Sequence, residues 1–445
     1  MATAEQRRDP NFTPPLVQAV PLGIQHVLAM FVSNVTPAII VAGAAGFGFG
    51  SADMGQMIYM IQMSMFFAGV ATLFQTIGIG PVGARLPIVQ GTSFAFLPIM
   101  IPLVAGKGVD AVAILMGGVV AGGIFHFLLG TIIGRIRFAL PPLVTGLVVL
   151  MIGLSLVTVG IKYAAGGAAE FQMNAPDYGG LKNWTMAGVV ILVTLGLKFF
   201  TRGLLSVAAV LIGLIVGYAV AYAMGEVNFG NVGKAATLQV PNPLHFGLEF
   251  TAAAIVGFCL MGLISAIETV GDVSGITKGG AGREATDDEI SGATYADGLG
   301  SAVAGVFGGL PNTSFSQNVG LIAMTGIMSR HVVTIGALFL ILCGLMPKVG
   351  AVISTVPIEV LGGGVIIMFG MVAAAGVNML SEVEWNRRNM LIFALSLSVG
   401  LGLQLVPQAT QHLPETIGIL MRSGLLPAAV IAIGLNLVLP QHIED

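Results

Sequence analysis

Leu86-Pro-Ile-Val-Gln-Gly-Thr-Ser-Phe-Ala-Phe-Leu-Pro98 and Leu310-Pro-Asn-Thr-Ser-Phe-Ser-Gln-Asn-Val-Gly320 are two versions of one short segment. Each opens on Leu-Pro and carries Thr-Ser-Phe, at Thr92–Phe94 and Thr313–Phe315. The echoes stand 221 residues apart, half of a 445-residue chain. Pro87 and Pro311 disfavour helix at the residue before them. Each segment is therefore expected to run extended and then turn into a short half-helix. Ser, Thr, Asn and Gln side chains can satisfy the backbone groups that the break frees. The half-helix start presents unpaired N–H groups and a partial positive charge, fit to hold a carbonyl oxygen or an anion. Interrupted segments at matching places in two halves mark the binding site of inverted-repeat membrane carriers.

The rest of the chain supplies the membrane. It is 56% hydrophobic and 9% charged, with a mean hydropathy of +0.94. Soluble domains carry roughly 25% charged residues, so this composition requires a bilayer as solvent. The 63 glycines suit closely packed membrane helices. A net charge of −3 gives no basic balance for nucleic acid. Cys259 and Cys343 lie in separate apolar runs without a CxxC or Cys/His pattern, and read as packing residues. Residues 1–15 are polar and Pro-rich with no cleavage pattern, so the first span is expected to stay as an anchor.

Apolar runs predict fourteen spans: 19–45, 55–78, 88–104, 110–133, 140–161, 184–200, 203–224, 248–271, 289–309, 313–327, 331–347, 356–378, 388–405 and 416–438. The fold class is thus an all-α polytopic membrane protein, with short extended segments and half-helices in spans 3 and 10. Seven spans per half is an odd number, so the second repeat enters the membrane inverted. With the N-terminus inside, 12 of the 18 Lys and Arg fall on the cytoplasmic side, Arg137 among them. That bias follows the positive-inside rule and places both termini in the cytoplasm of a multi-pass cell (inner) membrane protein.

Charges at membrane depth are costly, so each is a functional candidate. Glu268 and Asp272 are four apart in Ile264-Ser-Ala-Ile-Glu-Thr-Val-Gly-Asp-Val273 and share a helix face. Glu268, the deeper, suits proton carriage or acceptance of substrate N–H groups; Asp272 reads equally as a packing carboxylate. Asp297, in Thr294-Tyr-Ala-Asp-Gly298, is open between a structural and a coupling role. His26, after Gln25, can titrate or simply sit hydrogen-bonded. Gln317, followed by Asn318, has donors and an acceptor and can read a heterocyclic amide edge. Phe94 at the break can stack on a flat ring, and Phe369 can close the other face. Walker A, GxSxG, HExxH and dinucleotide fingerprints are missing from the sequence, and no cofactor is implied. Movement of a solute would run on a gradient or passively.

Gln317-Asn-Val-Gly-Leu-Ile-Ala-Met-Thr-Gly326 resembles the signature of the nucleobase–ascorbate transporters: Gln, Glu or Pro, then Asn, any residue, Gly, four of any kind, Thr, and Arg, Lys or Gly. Gln25-His26 resembles the family's first-span QH motif, Glu268-Thr-Val-Gly-Asp272 its eighth-span motif, and Tyr295-Ala-Asp-Gly298 its ninth. The resemblance implies two inverted seven-span repeats. Spans 1–4 (16–135) and 8–11 (245–350) would form a core domain; spans 5–7 (136–225) and 12–14 (351–440) would form a gate. It also implies a homodimer and alternating access around a site at the two breaks. Glu268 matches the carboxylate that bonds the base ring, Gln317 the side chain reading its other edge, and Phe94 the stacking aromatic. Ser93 and Ser316 match residues flanking the ring. Asp297, Asn318, His26 and Asp272 match polar positions tied to coupling, and Phe369 a position where some uracil carriers have Tyr.

Gln at the start of the signature and Gly at its end resemble the xanthine and uric acid branch. Ser93 replaces the Asn of some xanthine carriers and resembles members that accept uric acid. The expectation is a secondary transporter importing xanthine and/or uric acid with protons, its partners being the purine, protons and membrane lipid. The alternatives are a uracil or other nucleobase symporter, or an anion exchanger of the same architecture.

Overall fold

In a computed structural model of the chain, the described residues are 4–136, 141–167, 170–171 and 173–440; Arg137 lies outside them. Eight helices among these are long and apolar enough to cross a membrane alone. They are Leu16–Ala45, Met54–Ile77, Val109–Leu129, Pro142–Ala165, Leu181–Phe200, Ala252–Ala281, Ile358–Leu380 and Arg387–Leu405, spans 1, 2, 4, 5, 6, 8, 12 and 13.

Span 14 is not the single helix expected over 416–438, and span 11 continues past its expected end at 347 into a second, bent helix. Span 11 is Arg330–Gly344 and Pro347–Ile353 bent by 85°; span 14 is Glu415–Arg422 and Leu425–Val438 bent by 84°. Pro347 starts the second helix of span 11, where its missing N–H costs nothing. Gly424, at φ +67°, makes the turn in span 14. Span 7 is Leu204–Val207 and Ala209–Ala223. Span 9, Asp287–Val306, is long but polar. A capping box between Thr286 and Glu289 starts it, and Arg283 holds Glu289 by two bonds of 2.5 and 2.8 Å.

Spans 3 and 10 are the broken pair. Strand β1 (Gln90–Thr92) and strand β2 (Asn312–Ser314) precede half-helices Leu97–Val104 and Ser316–Thr325. The strands pair antiparallel, with Gln90 opposite Ser314, Gly91 opposite Thr313 and Thr92 opposite Asn312. This small sheet departs from an otherwise helical fold, and it is fully buried. Its backbone needs are met by neighbours. Asn34 of span 1 accepts from Thr92 N–H at 2.8 Å, Thr72 of span 2 accepts from Gln90 N–H at 2.9 Å, and Ser301 of span 9 accepts from Asn312 N–H at 2.9 Å. Span 3's half-helix begins only at Leu97: Ser93 Oγ accepts from Ala95 N–H and turns the chain first.

Helix packing falls into two groups. Span 11 packs on spans 1 and 2, and spans 4, 8 and 9 pack together; separately, span 12 packs on spans 5, 6 and 7, and span 13 on span 14. Glycines set the close approaches. A Cβ on Gly298 of span 9 would lie 2.2 Å from the Phe127 nitrogen of span 4. One on Gly362 of span 12 would lie 2.1 Å from the Ala164 nitrogen of span 5. The N-terminal segment straps one end of the bundle: Met328 and Arg330 N–H donate to the Arg7 and Pro10 carbonyls, and Ser329 Oγ to that of Phe12.

Candidate functional site

A cavity of about 300 Å³ lies where the two helix groups meet the strand pair. Its polar wall is built by the two breaks and span 8: Thr92, Thr313, Ser314, Ser316, Gln317 and Glu268. Its opposite wall is apolar, from Val149 and Ile152 of span 5, Val210 and Leu211 of span 7, and Met368 and Val372 of span 12. One polar face and one apolar face suit a flat heterocycle with hydrogen bonds on its edge.

The last turn of span 6 and the first turns of span 7, which span order puts on the N-terminal side of the bundle, line one end of the cavity. There Met371 is 48% exposed and Lys198, in the last turn of span 6, is exposed as well. The other end is shut by contacts between the two helix groups. Ser33 Oγ of span 1 meets Met368 Sδ at 3.3 Å, and Tyr163 Oη of span 5 meets the Ile39 carbonyl at 3.4 Å. The Phe94 ring meets that of Phe369 edge to face, centroids 5.2 Å apart.

Of the residues singled out in the sequence, Glu268, Gln317, Phe94 and Ser316 line this cavity. Glu268 and Gln317 have no hydrogen-bond partner among the described residues, and Gln317 is exposed. Free donors and acceptors on a cavity wall are available to a ligand. Ser316 Oγ instead donates to Asp272 Oδ1 at 2.7 Å, and Ser314 Oγ to Oδ2 at 2.7 Å. Asp272 therefore buttresses strand β2 and the start of the span 10 half-helix from behind.

Asp297 is wholly buried and off the wall. Gln75 Nε2 donates to it at 2.8 Å, and Gln90 Nε2 and Thr269 Oγ1 also donate to its carboxyl. It thus ties spans 2, 3, 8 and 9. Asn318 Nδ2 donates to the Pro87 carbonyl, fastening the span 10 half-helix to the start of span 3. His26 is buried beside Asn318 with Nδ1 unpartnered. Ser93 is buried with its N–H donating to the Pro311 carbonyl, so it joins the two breaks through backbone. Phe369 stands behind Phe94 with no exposure, rather than across the cavity from it, and Met368 takes the place on the wall.

Sequence reasoning passed over Asn34, Thr72, Gln75, Gln90 and Thr269, which hold the strands and Asp297. Their signal was present: each is a polar side chain inside an apolar run, and such groups are buried only when bonded. Glycine does specific work here too. A Cβ on Gly91 would lie 1.9 Å from Phe315 Cε2, so only glycine lets that ring cover the strand. Gly326, at φ +66°, caps the span 10 half-helix, its N–H donating to the Ile322 carbonyl at 2.8 Å.

Comparison with known proteins fits this geometry. The profile of a permease family matches residues 17–409. The chain is 37% identical to the xanthine permease XanP of Escherichia coli K12, over 96% of this chain and 93% of that protein. It is 35% identical to a xanthine permease of Bacillus subtilis (94% and 92% covered) and 35% identical to the uric acid permease PucJ of the same organism (94% and 91%). The transmembrane domain of the cyanobacterial bicarbonate transporter BicA matches with a TM-score of 0.57 at 15% identity, over 95% of this chain and 97% of that one. The murine anion transporter Slc26a9 in its inward-facing state matches with a TM-score of 0.62 at 11% identity, over 95% and 68%. Those two share the fold of two inverted seven-span repeats. This multi-pass membrane protein is a permease and not an enzyme, and it belongs to the nucleobase–ascorbate transporter family, in the xanthine and uric acid permease branch.

Proposed function

We propose that the protein imports an oxidised purine base, xanthine or uric acid, together with protons by alternating access. One observation carries this reading: Glu268 and Gln317 face the same cavity without protein partners. A carboxyl group accepts from ring N–H groups, and a primary amide donates to a ring carbonyl while accepting from the N–H beside it. Phe94 offers a ring face at the break. The names of the relatives support purines over pyrimidines.

Of Glu268, Asp272 and Asp297, the two aspartates are buried and engaged by donors, whereas Glu268 is free to exchange a proton with the cavity. Glu268 is therefore the proton carrier in this account, with His26 and Asn318 holding the polar surroundings in register. Spans 1–4 and 8–11 act as the core, which carries the polar wall. Spans 5–7 and 12–14 act as the gate, which carries the apolar wall and the dimer contact. With the N-terminus in the cytoplasm, the cavity faces inward, and the Phe94–Phe369 and Ser33–Met368 contacts separate when it turns outward. The related folds include anion transporters, but a carboxyl group facing the cavity disfavours an inorganic anion there.

Uptake of labelled xanthine and urate into proteoliposomes tests the proposal. An inward proton gradient should drive accumulation, and Glu268→Gln should abolish it. Uptake indifferent to the gradient would remove proton coupling. Full accumulation by the variant would remove Glu268 from the mechanism.

A further inference from the structure

We propose that Lys198 selects the anionic form of the purine at the cavity mouth. This rests on the reading of the cavity as a purine site. Among the described residues, Lys198 is the one basic residue lining the cavity, and Glu268 the one acidic residue. They sit on opposite helix groups, Lys198 on span 6 and Glu268 on span 8. Lys198 has no ion pair or hydrogen bond among the described residues, although Lys182, at the opposite end of span 6, is paired with Glu226 at 2.5 Å. The other lining residues of spans 5, 7 and 12, among them Val207, Val210, Leu211 and Met371, carry no counter-charge.

The chemistry of the substrate supplies what the wall lacks. Each carbonyl added to a purine acidifies its ring N–H groups, so the most oxidised purines exist partly as ring anions near neutral pH. A proton on Glu268 removes the cavity's negative charge and leaves Lys198 as its sole full charge. Proton and purine anion then enter as a neutral pair, and the low-dielectric walls make that pairing count. The half-helix start at Ser316 and Gln317 adds partial positive charge of the same sign. A neutral purine offers Lys198 only a carbonyl hydrogen bond, which a glutamine amide can also make. Residence at the end of span 6 also favours a lysine through the helix dipole, but that effect is blind to the ligand.

Equilibrium binding to the purified full-length protein separates these roles, with labelled urate as the anionic probe and labelled xanthine near or below neutral pH as the largely neutral one. Lys198→Gln should weaken urate binding about five- to twenty-fold at low salt, from one charge acting across a partly solvated cavity. It should change xanthine binding less than about twofold, and high salt should close most of the gap. Lys198→Arg should restore urate binding. Equal loss for both purines, or no loss for either, would overturn the assignment and leave Lys198 as a helix-end or lipid-interface residue. If the wild type binds neither purine, the purine reading itself falls and takes this one with it.

Discussion

Replacing Asp297 tests whether it works as a structural tie. In Asp297→Ala the amide of Gln90 loses its acceptor, and its Oε1 already has no partner. Gln90 is completely buried, so a stranded amide there costs about 1–3 kcal/mol. Gln75 keeps its bond to the Ala293 carbonyl at 3.0 Å, and Thr269 its bond to the Ser265 carbonyl at 3.0 Å. Gln75 loses one bond of two, about 0.5–1.5 kcal/mol, while the single hydroxyl proton of Thr269 turns wholly to Ser265. The total is about 1.5–4.5 kcal/mol before any cavity term. Asp297→Asn is milder. Its Oδ1 can face the two glutamine amides while its Nδ2 donates to Thr269 Oγ1, which still donates to Ser265. That variant should lose about 1 kcal/mol and still bind purine. Reversible unfolding in mixed micelles, with xanthine binding alongside, reads both. Asp297→Ala within about 1 kcal/mol of wild type, or Asp297→Asn as damaging as Asp297→Ala, would refute the tie.

Three further outcomes follow from the packing and the cavity. Gly298→Val would drive a side chain into the Phe127 backbone of span 4, and overpacking of this kind costs about 1–3 kcal/mol or more, read as a lower melting temperature in detergent. Asn34→Ala would strand the Thr92 N–H of strand β1, costing about 1–3 kcal/mol and weakening purine binding without touching the cavity wall, checked by melting and binding together. Gln317→Glu removes both amide donors from the polar wall and should lower xanthine and urate affinity at least tenfold, checked by radioligand competition.

The architecture was legible because the bilayer limits what a chain can do. Two Leu-Pro segments with matched Thr-Ser-Phe predicted the broken spans, and the structure pairs them as β1 and β2. Glu268 and Gln317 were legible as polar groups in apolar runs, and they meet on one wall. The bends in spans 11 and 14 were not: Gly424 lies inside the run 416–438, whose hydropathy reads as continuous, and Pro347 closes the run 331–347, so the bent helix that continues to Ile353 falls outside it. The ties around Asp297 escaped notice because Gln75 and Gln90 find their partner only through tertiary packing, 222 and 207 residues away in sequence. Phe369 went astray for a similar reason: period and hydropathy place it on span 12 but do not say whether it or Met368 faces the cavity.

The central claim is a purine site between Glu268 and Gln317, and competition binding tests it most directly. Labelled xanthine bound to the purified protein should be displaced by unlabelled xanthine or urate and not by uracil, bicarbonate or sulfate, and Glu268→Gln and Gln317→Glu should each weaken it. Absence of saturable xanthine binding, or displacement by an inorganic anion, would contradict the account.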